Sequence, residues 1–384
     1  MLLCITGLFA IFSSTISKSP VLPLFAAHLG ADPSGVGAVA AVSAFTGIIA
    51  SIPAGILSDR WGRRRMLLIA ALVFSTAPFL YLFVTHIWQL AIIRLYHGLA
   101  TAVFVPVGTA MVADIFHRER GEKIGWFSTA TLLGRFMAPI VGGSIIGMFA
   151  LHPAAGYRTV YLVCGAAGVL VLLLALCTPP PPKTTVQRPD WKTTMRAFKE
   201  VIAHRGIIVT SSVEAAILFS YGTFETFLPL YAVETGLSAY EVGIFLSSQV
   251  ITLALTKPVM GRFSDRHGRQ PQITAGALIG AVCIGSFSLF SSFVPLLCLS
   301  ILFGLSLSIV TSATSALIAD LSRQEGRGAA MGILGSVMDI GHTTGPLVSG
   351  IIAAQFGFGR SFIAAAVLLV GVALIFRALV AATR

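Results

Sequence analysis

Long apolar runs separated by short polar turns dominate the chain from end to end. A run of about 20 apolar residues is long enough to cross the hydrocarbon core of a membrane as an α-helix. The pattern predicts six such helices in the first half, near 2–27, 35–57, 66–85, 88–114, 123–149 and 158–177. Six more are predicted near 206–232, 239–263, 271–291, 293–320, 327–355 and 359–380. We therefore predict an all-α membrane protein with 12 transmembrane helices in two six-helix bundles.

One longer polar stretch, Thr178 to Arg205, interrupts this pattern in the middle of the chain. It contains four consecutive prolines and several basic residues, as expected of a linker between domains. We predict an N-terminal bundle over 1–177, a cytoplasmic linker over 178–205 and a C-terminal bundle over 206–384. Apolar and basic residues of the linker fall on separate helical faces, which suits either a short helix on the membrane surface or a solvated linker. The apolar face comprises Trp191, Met195, Phe198 and Ile202.

Composition and charge agree with a membrane protein. Hydrophobic residues make up 56% of the chain and charged residues only 11%, whereas about a quarter of an ordinary soluble protein is charged. The net charge is +11, but the basic residues are scattered through short loops, which does not suit nucleic-acid binding. Of 26 Lys and Arg residues, 20 lie on the side shared with the linker. Because cytoplasmic loops are enriched in basic residues, we predict a multi-pass protein of the inner (cytoplasmic) membrane with both termini in the cytoplasm.

A short charged turn occurs twice, at positions 206 residues apart. The first copy runs from Gly55 to Arg65 and reads GILSDRWGRRR, and the second starts at Gly261 and reads GRFSDRHGR. The same spacing relates Asp114 to Asp320. Glycine permits tight turns, and basic residues hold a turn on the cytoplasmic side. The repeated turn predicts an internal repeat of two six-helix units, in parallel orientation around a central cavity.

The repeated turn resembles the signature loop between the second and third helices of the major facilitator superfamily. The resemblance implies the fold of that superfamily, two pseudo-symmetric bundles, and transport by alternating access. It also implies that charges at the inner ends of the helices form a gate, although the same charges would anchor the topology. The gating residues so implied are Gly55, Asp59, Arg60, Gly62, Arg63 and Asp114, with Gly261, Asp265, Arg266, Gly268, Arg269 and Asp320 in the second half.

A second motif, GRFMAPIVGG, lies in the fifth predicted helix. It resembles an element that marks exporters, especially drug:proton antiporters, with Ala138 in place of the usual second glycine. Small residues let helices approach closely and proline permits a bend, so the alternative is simple helix packing. The eleventh helix carries a related sequence. The motif residues are Gly134, Pro139, Gly142 and Gly143, and Gly341, Gly345, Pro346 and Gly350.

Ionisable residues inside the predicted helices are the candidate site, because a charge there is costly unless it is paired or wet. Lys18 and Glu225 come from nearly equivalent points of the two halves and are candidates for an ion pair. In the aligned repeat Arg135 matches His342, and Asp339 shares a helical face with His342. These three are expected to form a cluster near the membrane midplane. The substrate and proton pathway is predicted to include Lys18, Arg94, Arg135, Glu225, Asp339 and His342.

Several of these charges have more than one interpretation. The stretch from Leu90 to Gly98, which contains Arg94 and His97, resembles a family element in which an intramembrane arginine serves proton transfer or substrate binding. Lys18 stands where many drug exporters carry an acid, so an anionic or zwitterionic substrate is as consistent with the sequence as a cationic drug. Glu214 either lines a wet cavity or is solvated near the cytoplasm. Lys257 is expected to extend to the cytoplasmic surface, and His97 to be a packing residue.

These features predict a secondary transporter that exports a small organic solute against proton entry, a drug or metabolite antiporter in which Glu225 and Asp339 carry protons. The alternatives are an organic-anion exchanger or uptake carrier without proton coupling, and a non-transporting membrane sensor. No nucleotide, dinucleotide, zinc or nucleophile motif stands out, so we predict no enzyme activity, cofactor or metal. The expected partners are a small-molecule substrate, protons and the lipid bilayer, with no nucleic acid, and the chain is expected to act as a monomer.

Overall fold

The computed structural model describes residues 1–116, 119–179, 204–322 and 327–381, and within these ranges it is built of α-helices without strands. The first seven helices are α1 (Leu2–Ile16), α2 (Val21–His28), α3 (Pro33–Trp61), α4 (Arg63–Leu80), α5 (Ile87–Ile115), α6 (Arg120–Met148) and α7 (Pro153–Cys177). Six more follow, α8 (Arg205–Glu234), α9 (Ala239–His267), α10 (Arg269–Ser286), α11 (Phe293–Leu321), α12 (Arg327–Phe356) and α13 (Phe358–Ala381). The prediction of an all-α fold is confirmed.

Eleven segments of the described chain are long and apolar enough to cross a membrane. They coincide with predicted spans, and α1 and α2 together form the first of them. The remaining predicted span is helix α12, in which Asp339, His342 and adjacent threonines lower the hydropathy. Large apolar side chains such as those of Ile92 and Val282 are exposed on the helix surfaces, as expected of faces that contact lipid. The protein is therefore a multi-pass membrane protein.

By their internal packing the residues divide into two compact units. The first comprises Met1–Thr185 and Glu225–Ser247, and the second comprises Val186–Phe224 and Ser248–Arg384. The end of α8 and the start of α9 therefore pack with the first unit. The domain boundaries taken from the sequence stay a prediction, and the linker helix around Trp191 lies outside the described residues.

In the first unit, α1 packs along α6, α4 along α7 and α3 along α5. The first membrane span is interrupted by a turn at residues 17–20, which separates α1 from α2. Ile16 and Val21, on either side of this turn, are fully buried and belong to an apolar cluster that also includes Tyr81. The interruption thus places the polar residues of the turn, among them Lys18, next to an apolar core.

In the second unit, α10 packs along both α11 and α13. A smaller apolar cluster joins the start of α8, the end of α11 and the start of α12 through Ile207, Ile318 and Leu334. Because these side chains are almost fully buried, they fix the start of α8 against its neighbours.

The internal repeat is visible in equivalent helix contacts. A Cβ atom on Gly134 of α6 would lie against the carbonyl oxygen of Leu8 on α1. A Cβ atom on Gly341 of α12 would lie against the carbonyl oxygen of Ala215 on α8. Both residues of the second contact lie 207 positions beyond those of the first. The same close helix crossing, which only glycine allows, is therefore built twice.

Asp32 begins helix α3 as its N-cap. Its Oδ1 accepts a hydrogen bond from the Gly35 backbone N–H at 3.0 Å, and the Ser34 hydroxyl donates to Oδ2 at 2.5 Å. The Ser34 and Gly35 hydrogen bonds hold the pKa of this exposed carboxyl below its ordinary value. Since the lowered pKa favours the ionised form in the folded state, this cap stabilises α3 above about pH 4 and is lost as the pH falls further.

Candidate functional site

An ion pair between Lys18 and Glu225 is the first feature of the candidate site. Lys18 lies in the turn between α1 and α2, and Glu225 lies in the part of α8 that packs with the first unit. Lys18 Nζ lies 2.8 Å from Glu225 Oε2, and the two side chains are only 22% and 10% exposed. The predicted ion pair is confirmed. Because both groups are largely removed from water, loss of one charge leaves the other poorly solvated.

Arg94 of α5 is buried in the first unit, with 3% of its surface exposed. Its Nε and Nη2 donate to Ser43 Oγ at 2.9 and 2.7 Å, and its Nη1 donates to Ser17 Oγ at 3.0 Å and to the Tyr81 hydroxyl oxygen at 3.3 Å. All of these partners are neutral. In the described parts of the chain, no carboxylate lies within ion-pair distance of this guanidinium. A buried cation held only by hydroxyl groups retains a strong attraction for an anionic group.

Aromatic rings close the space around Arg94. The buried His97 ring lies edge-on to Phe74 with centroids 5.8 Å apart, and its Nδ1 lies 3.5 Å from the Ser17 and Tyr81 hydroxyl oxygens. Tyr81 in turn stacks on Tyr161 with centroids 4.3 Å apart. Within the described protein, His97 Nε2 and the Tyr161 hydroxyl have no hydrogen-bond partner. Arg94 thus sits in a closed polar cluster walled by rings.

The predicted cluster of Arg135, Asp339 and His342 draws its members from both units. Arg135 lies on α6 in the first unit and has an exposed side chain. Asp339 and His342 lie about one turn apart on α12 in the second unit, and both are partly buried. The His342 ring lies 5.3 Å from the Tyr221 ring on α8. The association of Arg135 with the other two residues stays a prediction.

The same ion pair occurs twice at helix ends, once in each half of the chain. Arg63, which begins α4, donates from Nε to Asp114 Oδ2 near the end of α5. Arg269, which begins α10, lies 2.5 Å from Asp320 on α11 and 3.3 Å from Asp265 on α9. The two pairs are related by the 206-residue repeat. Their role as a gate stays a prediction.

The turn that precedes each pair depends on a glycine with left-handed backbone. Gly62, between α3 and α4, has φ of 93°, and Gly268, between α9 and α10, has φ of 91°. Residues with a Cβ atom rarely adopt this conformation, which explains glycine in both copies. The other predicted gating residues are Arg60 and Arg266, both exposed, Gly55 on α3, Gly261 on α9, and Asp59, whose side chain lies outside the described part of the chain.

The glycine and proline motif of α6 brings this helix against α9 backbone to backbone. A Cβ atom on Gly143 would lie against the Ala239 carbonyl oxygen, and one on Gly243 would lie against the Pro139 carbonyl oxygen. Gly142, one residue earlier, faces the turn between α1 and α2. The motif therefore fixes α6 against two neighbours by close approach, in keeping with a packing role.

The related motif of α12 makes close contacts with α8. A Cβ atom on Gly345 would lie against the Phe219 carbonyl oxygen, and one on Gly222 would lie 2.8 Å from the Pro346 side chain. Gly350, at the end of the motif, is buried. In the second unit, too, small residues set the distance between the helices.

Glu214 corrects one interpretation made from the sequence. Its side chain is fully buried, so it is not solvated. Its Oε2 lies in hydrogen-bond contact with Thr314 Oγ1 on α11. A signal for this contact exists in the sequence, because hydroxyl residues recur at helical spacing along α11, among them Ser308 and Thr311. Lys257 is exposed, as expected of a side chain that extends outward.

The sequence does not predict the hydroxyl groups that hydrogen-bond to Arg94. Ser17, Ser43 and Tyr81 come from three separate segments of the chain. Hydroxyl residues are common in membrane helices, where they hydrogen-bond to their own backbone. Only the packing of the helices shows that these three point at one guanidinium.

Paired helical units, membrane-spanning segments and buried charges within the membrane define a polytopic membrane transport protein. A family model described as Major Facilitator Superfamily matches residues 3–248 and 211–384, which together cover nearly the whole chain. The chain therefore belongs to the Major Facilitator Superfamily. This membership, together with the transporters it resembles, identifies it as a transporter and not an enzyme.

Similar proteins include named efflux and drug-resistance transporters. The multi-drug resistance efflux pump PmrA of Streptococcus pneumoniae is 26% identical over 353 residues, which cover 90% of this chain and 87% of PmrA. The multidrug resistance protein MdtG of Proteus mirabilis is also 26% identical, over 89% of this chain and 86% of MdtG. The sequence likeness thus extends over both halves.

Two solved structures share the fold. One is a bacterial homolog of the human lysosomal transporter Spinster, with a TM-score of 0.84 at 17% identity over 98% of this chain and 95% of that chain. The other is the nucleoside transporter NupG, with a TM-score of 0.84 at 14% identity over 98% of this chain and 99% of that chain. At such identities the likeness describes the fold alone.

Proposed function

We propose that the protein exports a small organic solute, a drug or a metabolite, from the cytoplasm in exchange for protons. The observation that carries this proposal is the buried ion pair between Lys18 and Glu225. The outward direction is supported by the similarity to PmrA and MdtG, which are named as an efflux pump and a multidrug resistance protein. The protein would act in the cytoplasmic membrane with both termini inside, since basic residues concentrate on that side.

The ion pair provides a physical means of coupling. When Glu225 binds a proton it loses its charge, and its attraction to Lys18 is removed. When the proton leaves, the buried ammonium and carboxylate again stabilise each other, because neither is well solvated alone. Proton binding therefore favours an arrangement with the pair separated, and proton release favours the paired one. Asp339, about one turn from His342 on α12, supplies a second carboxyl for the same cycle.

Transport in proteoliposomes tests this function, with ethidium as a cationic drug probe and fluorescein as an organic anion probe. We expect a pH gradient to drive at least one probe in the wild-type protein. Glu225→Gln and Asp339→Asn are expected to abolish gradient-driven transport, because an amide side chain, unlike a carboxylate, does not bind a proton near neutral pH. Glu234→Gln, at the exposed end of the same helix as Glu225, is the matched control. Full gradient-driven transport in both Glu225→Gln and Asp339→Asn would rule out the coupling.

A second candidate function, exchange of organic anions without proton coupling, is favoured by Arg94. Its buried guanidinium has hydroxyl partners and no carboxylate within the described chain. A carboxylate or phosphate on a substrate would form charge-assisted hydrogen bonds with it, which are stronger than those to hydroxyl groups. Counterflow of fluorescein at the same rate with and without a pH gradient would select this function. Counterflow of ethidium alone would reject it.

A further inference from the structure

Besides Glu225 in the first unit, the protein has a buried acidic residue in the second unit, and the proposed function gives it no role. Glu214 of α8 is fully buried, and its Oε2 contacts Thr314 Oγ1 of α11. Its other oxygen, Oε1, has no hydrogen-bond partner in the described protein. The same holds for the buried hydroxyls of Ser211, one turn earlier on α8, and of Thr311, one turn earlier on α11. Glu214 and Thr314 are in contact, and together with these two buried hydroxyls on the same helices they are here named the Glu214 cluster.

The hydrogen bonds of Thr314 bear on whether the Glu214 carboxyl group is protonated. Thr314 has a single hydroxyl hydrogen, and its Oγ1 also lies 2.9 Å from the carbonyl oxygen of Val310 on the same helix. If the hydroxyl donates to Val310, the contact with Glu214 is satisfied only when the carboxyl carries a proton and donates it to Thr314 Oγ1. A neutral Glu214 therefore satisfies both contacts. An ionised one would leave a charge buried with a single hydrogen bond, which is costly.

The charges on neighbouring helices do not neutralise an ionised Glu214. Lys257 of α9 acts on it only at a distance, since its side chain is exposed and forms no ion pair with Glu214 in the described chain. Helix α11 brings hydroxyl groups, and its only charge is at its inner end. Other ionisable groups on these helices include Asp320 at that end of α11, Arg269 and Cys283 on α10, and Asp339 and His342 on α12.

The Glu214 cluster is a poor metal site. It offers one carboxylate and three hydroxyl groups, whereas hard cations such as Mg²⁺ and Ca²⁺ take six or more oxygen ligands. The carbonyl groups of α8 and α11 at this level are held in helical hydrogen bonds. Among the described residues, no group of three or more His, Cys, Asp and Glu side chains could hold a metal ion. The ligand that fits a lone buried carboxyl with a free oxygen is a proton.

We propose that Glu214 is a proton-binding site of the second unit, separate from the Lys18–Glu225 pair. In the neutral state the carboxyl O–H donates to Thr314 Oγ1, and in the ionised state the Thr314 hydroxyl donates to Glu214 Oε2. The part of this inference that concerns transport rests on the proposed proton-coupled function. The part that concerns proton binding does not.

Infrared spectroscopy of the purified protein in lipid tests proton binding without any substrate. At neutral pH we expect a C=O stretching band of a protonated carboxyl that is present in the wild-type protein and lost in Glu214→Gln. Thr314→Val is expected to shift this band, because it removes the hydrogen bond to the carboxyl, whereas Thr314→Ser keeps it in place. Glu234→Gln, on the same helix but exposed, should leave it unchanged.

Two results would overturn the assignment. The first is a spectrum of Glu214→Gln that matches the wild type in this region. The second is loss of the wild-type band on addition of sodium chloride at constant pH, which would make the cluster a cation site. If Glu214→Gln does not fold, the comparison of Thr314→Val with Thr314→Ser decides, because an ionised Glu214 has no such band in either variant.

Transport then tests whether this proton is used. In proteoliposomes the ratio of gradient-driven to counterflow rate is expected to fall at least about tenfold in Glu214→Gln. An unchanged ratio would overturn a role in coupling. If the wild-type protein itself ignores the pH gradient, the proposed function fails, but the infrared result on Glu214 still stands on its own.

Discussion

Arg63 and Asp114 are both largely buried, with 18% and 16% of their side chains exposed. In the equivalent pair of the second half Arg269 is 22% exposed, but Asp320 is 54% exposed. Exposed ion pairs contribute about 0–1 kcal/mol because water screens them, whereas removal of one partner from a buried pair costs about 3–5 kcal/mol. The two ion pairs occupy equivalent positions in the repeat, but we expect them to contribute unequally to the free energy of unfolding.

We predict that Asp114→Asn lowers the thermal unfolding temperature clearly more than Asp320→Asn does. The first change leaves Arg63 partly buried beside a neutral amide, and the second leaves Arg269 with Asp265 at 3.3 Å as a remaining partner. The expected costs are about 1–3 kcal/mol and below about 1 kcal/mol, since both pairs are partly hydrated. Unfolding of both variants in the same detergent measures the difference. Equal losses would show that burial does not distinguish the pairs.

At the scale of elements, helix α6 is held by glycines on two sides. Gly134 lets α1 approach, and Gly143 lets α9 approach, each against a backbone carbonyl oxygen of the neighbour. A backbone atom cannot move aside as the end of a flexible side chain can. A side chain at either position must therefore push a whole helix away.

We predict that Gly143→Ala destabilises the protein by about 1–3 kcal/mol, the usual cost of overpacking. Gly125→Ala on the same helix is the matched control, because a Cβ atom there meets nothing within 4 Å. The control is expected to be neutral or to gain about 0.5–1 kcal/mol from the better helix propensity of alanine. Thermal unfolding of the two variants provides the comparison. A Gly143→Ala protein as stable as the wild type would mean that the backbones of α9 and α6 are not in close contact at this position.

Sequence periodicity predicted the helices but missed a break within one of them. The first span was predicted as one helix near 2–27, and the structure interrupts it at residues 17–20. The polar residues and prolines of Lys18 to Pro23 are the local reason for this interruption, since proline lacks a backbone donor. An apolar run long enough to span a membrane gives no indication of such a turn by its hydropathy alone.

At the scale of the whole molecule, the repeat is what made the candidate site predictable. The 206-residue spacing placed Lys18 and Glu225 at nearly equivalent points, and the ion pair was found there. The partners of Arg94 and Glu214 could not be predicted in this way. Ser43 and Thr314 are neutral residues on distant segments, and in a membrane both lipid and protein core are apolar, so hydropathy does not show which way a helix is turned.

The proposed mechanism requires that solute leaves while protons enter through the charges within the membrane. A pH-sensitive dye trapped inside proteoliposomes reports proton movement directly when an external probe, ethidium or fluorescein, is added without an imposed gradient. We predict that the probe that the wild-type protein transports causes an internal pH change, and that Glu225→Gln gives none. Solute flux at the full wild-type rate with no change in internal pH would contradict the account.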